Sequence, residues 1–262
     1  MQRTQLFEFE DQPWFPGLIR SYMQDHLTFM GNLSGSAYQG FVDKLKPTME
    51  RLGQTEILDL CSGSGGPARM IVRLLQAQGL AANAQVSDLF PNSDAYRSLE
   101  KATNGIVRGV DSPVNATNVP VELRGFRVIA NGFHHFSPSQ ATQVLADAVN
   151  KQRGIAIIEM VNRSILAFFS VGVGVLLTFL AAPFIRPFRF SRLFFTYIVP
   201  LIPLFLLWDG IVSCLRVYSP VEMRDLVSRL GTTDYEWDIG TLRLGPGVTT
   251  YLIGSPKQTP QS

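Results

Sequence analysis

Residues 56–78 have the sequence EILDLCSGSGGPARMIVRLLQAQ, and this stretch decides the fold class. EILDL predicts a buried strand, CSGSGG predicts a tight turn, and Met70, Ile71, Leu74 and Leu75 recur at helical spacing. Closely spaced glycines let a ligand approach the backbone, and the N–H groups that open the following helix point outward. The stretch therefore predicts a βα unit whose turn holds a nucleotide-type cofactor, although such turns also occur for packing alone.

Strand and helix patterns continue to alternate after this unit. Strands are predicted at residues 84–88, 105–110, 126–132 and 154–160, and helices at 92–103, 138–152 and 219–230. The segments YEWDIGTLRL and VTTYLIGSP, separated by Gly245-Pro246-Gly247, predict an antiparallel hairpin. Strands that alternate with helices form parallel sheets with right-handed crossovers. The sequence therefore predicts an α/β fold with a doubly wound, Rossmann-like sheet, mostly parallel and ending in an antiparallel hairpin.

Length and composition exclude several classes of protein. The chain has 262 residues, enough for one domain with a sizeable core, and 17% of them are charged, against roughly 25% in soluble domains. Cys61 and Cys214 lack the spacing of a disulfide framework or a zinc site, which favours a reducing compartment. Because nucleic-acid motifs and a secretory signal pattern are lacking, we expect a folded part on the cytoplasmic side that does not bind nucleic acid.

A hydrophobic block interrupts the α/β pattern at residues 165–218. It contains a 21-residue uncharged run, 165–185, and a 16-residue run, 193–208, and it carries four arginines against one aspartate. This composition predicts a membrane-associated helical hairpin. Arginines between the two runs favour a hairpin embedded in one leaflet over two full crossings, because positive charge is seldom translocated. An apolar lid or a dimer interface of a soluble protein can have the same composition.

These patterns divide the chain into three parts. We expect an N-terminal helical lid at residues 1–50, with a short amphipathic helix at 19–29, and the hydrophobic insertion at 165–218. Residues 51–164 and 219–262 then form the α/β domain. The insertion follows the fifth predicted strand and should lie near the carboxyl ends of the strands, where open α/β sheets bind ligands.

Asp88 ends the second predicted strand, about twenty residues past the glycine turn. An acidic side chain at this place can accept hydrogen bonds from both hydroxyls of an adenosine ribose. An N-cap aspartate on the surface would occupy the same position. The turn and the acid together favour a nucleotide-type cofactor over packing.

Four segments carry a resemblance to a known family. ILDLCSGSGG, VSDLFPN, SPVNATNVP and VIANGFHHF, in this order over roughly residues 55–160, resemble class I S-adenosylmethionine-dependent methyltransferases. The resemblance implies a methyltransferase domain that uses S-adenosyl-L-methionine. It also implies that the residues in contact with the cofactor are Arg20, Asp59, Gly63, Ser64, Gly65, Asp88, Leu89, Asn115, Ala116 and Asn131.

One of these positions departs from the family pattern. Where the family often has Asp-Ala near the adenine amino group, this chain has Asn115 and Ala116, and an amide oxygen can accept the same hydrogen bond. In relatives the segment before the glycine turn folds over the crevice, which implies that Arg20 lies near the cofactor carboxylate. The lid implied by the resemblance, for which ordinary helix packing is the alternative, comprises Trp14, Phe15, Arg20 and Tyr22.

Two histidines follow the strong strand at 126–132. His134 and His135 fall at the ligand end of a parallel strand, where an imidazole could remove a proton from an attacking hydroxyl. A hydrogen bond to the backbone is the alternative role. Glu159, at the end of the next strand, is a second candidate base or substrate anchor, or else a partner of Arg163. The three residues lack the spacing of a known zinc motif, so we expect no metal.

Together these features predict methyl transfer to a lipophilic or membrane-derived small molecule, by an enzyme associated with membrane lipids. Two alternatives stay open. One is a membrane-tethered module that binds the cofactor without catalysis, which the exchange of the acid for Asn115 supports. The other is a soluble small-molecule methyltransferase with an apolar lid. The sequence does not name the acceptor or the oligomeric state.

Overall fold

The computed structural model describes residues 1–33, 37–244 and 247–257. Within these residues one sheet of seven strands forms the centre of the molecule. Its strands are β1 (Glu56–Leu60), β2 (Asn83–Ser87), β3 (Val107–Gly109), β4 (Phe126–Ala130), β5 (Ile155–Glu159), β6 (Tyr235–Leu244) and β7 (Gly247–Pro256). The helices are α1 (Gly17–Leu33), α2 (Gln39–Arg51), α3 (Gly66–Ala77), α4 (Ser93–Ala102), α5 (Pro138–Asn150), α6 (Ile165–Ala181), α7 (Phe190–Leu193), α8 (Leu201–Arg216) and α9 (Pro220–Ser228).

The strand order is β3-β2-β1-β4-β5-β7-β6, which confirms a doubly wound, mostly parallel sheet. The first five strands run parallel, and β7 pairs antiparallel with both β5 and β6. The predicted hairpin is therefore present, while its turn residues 245 and 246 lie outside the described part of the chain. The chain winds in one direction from β1 to β3 and in the other from β4 to β5. The crevice of such a sheet opens between the carboxyl ends of β1 and β4.

Helices cover both faces of the sheet. On one face α2 and α3 bury Phe41, Leu45, Ile71 and Leu75, and on the other α5 and α9 pack against an equally apolar layer. The position of α2 differs from the expected lid over residues 1–50. The buried residues of α2 belong to the main core. Of the expected lid, only α1 and the residues before it therefore stay candidates.

The hydrophobic insertion folds as α6, α7, a π-helical turn at Phe194–Ile198, and α8. Helices α6 and α8 touch closely, since a Cβ atom at Gly210 would lie 2.7 Å from Val171 Cγ1. A separate apolar cluster joins α8 to α1 through buried residues such as Tyr22, Met23 and Ile202.

The described helices do not include one that is both long and apolar enough to cross a membrane alone. The segments Phe190–Ile198 and Leu201–Arg216 pass such a test only together, and they are bent by 73° at the break between them.

Candidate functional site

The glycine turn after β1 is built from residues in the left-handed backbone region. Cys61, Gly63 and Gly65 have φ angles of 57°, 54° and 76°. Gly65 is also confined, because a Cβ atom there would lie 2.6 Å from Leu99 Cδ2. The turn reverses the chain within a few residues and leads into the N-terminus of α3, where unpaired N–H groups favour negative charge.

Asp88 lies one residue beyond β2 and fastens the glycine turn. Its Oδ2 accepts a hydrogen bond from the Gly63 N–H at 2.9 Å, and its Oδ1 accepts one from the Phe90 N–H at 2.9 Å. Each carboxylate oxygen can accept a second hydrogen bond, so the side chain can still serve a ligand. The acid therefore shapes the turn in addition to the predicted role toward a ribose.

Unpaired polar atoms surround the turn. Both carboxylate oxygens of Asp59, the hydroxyl of Ser64 and the hydroxyl of Tyr96 are buried without a hydrogen-bond partner. The Ser62 hydroxyl donates to the Asp59 carbonyl at 2.8 Å, and its proximity only partly offsets the effect of burial on the pKa of the Asp59 carboxyl. Burial raises the pKa of Asp59 to about 7, and the charge of Asp88 adds to the effect. Buried polar groups are almost always paired in folded proteins, so the unpaired atoms around this turn call for a partner such as water, an ion or a ligand.

The other residues implied for cofactor contact are engaged elsewhere or exposed. Arg20 donates to the carbonyls of Glu10 and Gln12, and its guanidinium lies 4.5 Å from the centre of the Phe90 ring. Asn131 donates to the Tyr38 hydroxyl and accepts from the Met160 N–H. Leu89 is exposed, Ala116 is buried, and the exposed Asn115 accepts from Thr117. Their roles toward a cofactor stay predictions.

Two of the lid residues expected from the resemblance pack inside the protein. Phe15 and Tyr22 are buried in the cluster with α8, which agrees with the packing alternative. Trp14 is 68% exposed and touches the ring of Phe9. Helix α1 nevertheless lies on the glycine turn, because a Cβ atom at Gly66 would be 2.9 Å from Thr28 Cγ2.

His134 and Glu159 form a buried pair at the ends of β4 and β5. The Glu159 carboxylate accepts from the His134 backbone N–H at 3.0 Å and lies 2.7 Å from Nδ1 of the ring. With Nδ1–H donated to Glu159, the lone pair of a neutral His134 is on Nε2. Arg163 binds Glu222 instead, so the alternative partner considered for Glu159 is wrong.

His135 is held as a cation by two carboxylates. Its Nδ1 lies 2.7 Å from Asp11 Oδ1 and 3.2 Å from Glu8 Oε2. Burial alone would lower the pKa of His135, but the charges of Glu8 and Asp11 outweigh it and raise the pKa to about 10. Arg216 adds a second cation, with Nη1 2.6 Å from Asp11 Oδ2. His135 therefore anchors the N-terminal segment and is not a proton acceptor near neutral pH.

Residues 3–15, which we call the N-terminal strap, cover this end of the sheet. Asp209 of α8 accepts hydrogen bonds from the backbone of Phe9 and Glu10 at 2.8 and 3.1 Å. Arg3 donates to the Arg216 carbonyl at 2.5 Å. Burial raises the pKa of Asp209 to about 7 and that of Glu10 to about 8. The strap is thus fixed by polar contacts to α8 and to the histidine turn.

Glu8 and Asp11 were not among the residues predicted for the site. Glu8 is 2% exposed, and its Oε1 lies 3.8 Å from His134 Nε2, too far for a hydrogen bond. The available signal was the run of three acids between aromatic residues in FEFEDQPWF at 7–15. By distance alone Glu8, His134 and His135 can hold a metal ion, since their ligand atoms lie within 4.8 Å of one another. Each of the three also has a partner within the protein: Arg216 for Glu8, Glu159 for His134 and Asp11 for His135.

Cys61 lies between the glycine turn and the His134–Glu159 pair. Burial raises the pKa of its thiol well above the usual value, and the charges of Asp88 and Asp59 on one side and of Asp11 and Glu159 on the other add to this effect. A Cβ atom at Gly132 would lie 2.9 Å from Cys61 Cβ, so the ends of β1 and β4 are in contact. The unpaired acid and the histidine–glutamate pair thus lie near the carboxyl ends of adjacent strands, at the switch point of the sheet.

Comparisons with known proteins give distant structural likenesses only. The chain matches no family model and no curated protein. An O-methyltransferase family protein from Burkholderia thailandensis is 15% identical, with 87% of this chain and 58% of that chain covered and a TM-score of 0.47. The citrinin polyketide synthase CMeT domain is 13% identical, with 84% and 53% covered and a TM-score of 0.49.

Human N-acetylserotonin methyltransferase, solved in complex with SAM, is 13% identical, with 86% and 57% covered and a TM-score of 0.46. The chain therefore spans between half and three fifths of the length of these three structures. At such low identity and TM-score, the fold rests on the order of the chain's own strands.

Proposed function

We propose that this protein transfers a methyl group from S-adenosyl-L-methionine to a hydroxyl of a small, lipophilic acceptor. The observation that carries the proposal is the unpaired, buried carboxylate of Asp59 beside the glycine turn, across Cys61 from the His134–Glu159 pair. One side of the crevice lacks partners for its polar atoms, and the other carries a histidine oriented by a carboxylate. This combination suits a polar cofactor next to a group that takes up a proton.

The residues at the glycine turn fit this cofactor. Asp59 and Asp88 supply carboxylate oxygens for the ammonium group and the ribose hydroxyls, and Ser64 supplies an unpaired hydroxyl. The glycine backbone allows close approach because it carries no Cβ atoms. When bound, S-adenosylmethionine supplies an electrophilic methyl group on a positively charged sulfur.

His134 is the proposed proton acceptor. Glu159 accepts Nδ1–H and so keeps the lone pair of the ring on Nε2, and its charge stabilises the imidazolium that forms when Nε2 takes the proton of the acceptor hydroxyl. The hydroxyl of the substrate has one proton to donate, so it can donate to His134 Nε2 or to Glu8 Oε1, which lie 3.8 Å apart, but not to both. In the proposal the hydroxyl donates to Nε2, the atom that takes up its proton.

The lipophilic character of the acceptor is supported by an aromatic layer next to the strap acids. The Phe9 ring lies 4.6 Å from the Phe205 ring and 5.7 Å from the Phe15 ring, and the Phe7 ring lies 5.4 Å from that of Trp208. An apolar layer that covers a site selects apolar ligands and excludes water. In this proposal the strap and α8 are the apolar lid over the acceptor.

Calorimetric titration of S-adenosylmethionine into the full chain tests the proposal. Asp88→Ala should weaken binding about 10- to 150-fold, because a charge-assisted hydrogen bond contributes about 1.5–3 kcal/mol. Asp94→Ala is the matched control, since Asp94 is an exposed acid on α4 whose ion-pair partners, Arg97 and Arg189, both lie at the surface. Failure of folded wild-type protein to bind would refute the proposal. Binding without formation of S-adenosylhomocysteine in lipid extracts would favour the non-catalytic module.

A further inference from the structure

Exposed apolar side chains concentrate in the hydrophobic insertion. Among the described residues, 17 of the 28 large hydrophobic side chains that are exposed lie between positions 165 and 208. Scattered exposed apolar residues are normal on a soluble surface, whereas a contiguous group indicates a surface that contacts something apolar. The insertion therefore has an outer surface with a function of its own.

One side of α6 forms the larger part of this surface. Ile165, Phe169, Leu176 and Leu180 are 82%, 68%, 68% and 68% exposed. Their spacing of four, seven and four residues places them along one side of the helix. The opposite side carries buried residues such as Thr178 and packs on α8. The helix thus has a protein-facing side and an apolar outward side.

The connection 182–190 extends the surface with aromatic rings and positive charge. Phe184 and Phe190 are 68% and 81% exposed, and Arg186 is exposed between them. Arg189 is partly exposed, 4.0 Å from Asp94. By contrast Arg192 is fully buried, 3.0 Å from Asp25 on α1, and so fastens the connection to the body of the protein.

Helix α8 has a different role, although its sequence is almost as apolar. Its polar residues face inward, where Asp209 holds the strap and Arg216 binds Asp11. Ile202 and Leu206 pack on α1. The two apolar runs are therefore not equivalent: both expose apolar side chains, such as Leu180 and Leu204, but only α8 also holds the strap through polar residues.

We propose that the outer side of α6 and the connection 182–190, together called the apolar face, bind flat to the surface of an anionic lipid bilayer. The charge pattern selects this occupant, because the connection presents Arg186 and Arg189 at the surface and residues 165–208 contain no acidic residue. Aromatic rings and arginines suit the headgroup region, and aliphatic side chains suit the acyl boundary. In a symmetric contact with a second copy, the arginines would meet no acid of the same surface.

The length of α6 favours contact in the plane of the bilayer. Seventeen residues of helix extend about 26 Å, less than the roughly 30 Å of hydrocarbon in a bilayer. Both ends of the insertion also return to the same sheet, through β5 and α9. This inference goes beyond methyl transfer and does not depend on it.

Flotation with vesicles of phosphatidylcholine, with or without phosphatidylglycerol, tests the proposal on the full chain. Phe169→Gln, Leu176→Gln and Leu180→Gln together should lower binding to the mixed vesicles at least about tenfold, because each removes apolar contact with the acyl boundary. Arg186→Gln with Arg189→Gln should weaken binding to the mixed vesicles about tenfold and leave binding to neutral vesicles unchanged.

Val121→Gln with Val221→Gln is the matched control, since both valines are exposed on the α/β body, and it should bind like the wild type. Circular dichroism of each variant checks that it is folded. Two outcomes would overturn the proposal: wild-type protein that stays with neither vesicle, or a wild-type dimer in light scattering that the triple variant abolishes without any vesicle binding.

Discussion

Replacing Asp59 by asparagine should make the ligand-free protein more stable and at the same time weaken cofactor binding. The carboxyl is 1% exposed and its pKa is raised by burial from 3.8 to about 7. A carboxyl whose pKa is higher in the folded state penalises folding once the unfolded chain ionises, so stability is lost as the pH rises from about 4 to 7. An uncharged asparagine does not pay this penalty.

The size of the expected stability difference follows from the pKa shift of Asp59. About three pKa units at about 1.36 kcal/mol each give an upper value of about 4 kcal/mol above pH 7. The variant should therefore exceed the wild type in free energy of unfolding by about 1 kcal/mol at pH 4.5 and by up to about 4 kcal/mol at pH 8. Urea unfolding followed by circular dichroism at the two pH values measures this difference.

Binding should change in the opposite direction. Loss of the carboxylate should weaken the binding of S-adenosylmethionine about 10- to 150-fold at pH 8. Only the wild type should bind the cofactor more tightly as the pH rises from 6 to 8. Asp94→Asn, at an exposed acid, should change neither quantity. A variant at Asp59 that is less stable than the wild type at pH 8 and binds the cofactor equally well would refute the reasoning.

Three further predictions concern the turn and the strap. Gly65→Ala should destabilise the fold by about 1–3 kcal/mol more than Gly79→Ala in urea unfolding, because both glycines have positive φ but only the first is confined. His135→Gln should remove a loss of stability that the wild type shows between about pH 6.5 and 10, since the raised pKa of this histidine stabilises the fold only while the ring is charged. Equal pH slopes for both proteins would contradict this. Asp209→Ala should speed proteolytic cleavage within residues 1–15 by at least about tenfold, as two hydrogen bonds to the carboxylate are lost. An unchanged cleavage rate would show that the strap is held by other contacts.

The parts of the fold that follow from local patterns were predictable from the sequence. The βα unit at 56–78 and the hairpin β6–β7 appear where strand periodicity, glycines and helical spacing indicate them. The same patterns place Asp88 and His134 at strand ends, because the carboxyl ends of parallel strands share one edge of the sheet. The sequence pattern does not predict helix α2, because Pro47 lies inside it and proline usually interrupts a helix.

The contacts that complete the site could not be predicted in this way. The partners of Glu8 and Asp11 are 124 to 208 residues away in sequence, and no local pattern pairs residues at that separation. The insertion shows a second limit of prediction from the sequence. Apolar content alone does not distinguish a helix that packs on protein from one that faces outward, and only the fold shows that α8 and α6 differ.

The position of the strap has a consequence for folding. Arg3 contacts residues 131 to 213 positions later in the chain, and Phe9 meets Asp209 across 200 positions. Contacts of such separation form slowly, because the intervening chain loses much conformational freedom when they close. During synthesis the strap cannot reach its native partners until α8 has been made. The beginning of the chain is therefore expected to reach its native position last, and the crevice stays uncovered until that final step.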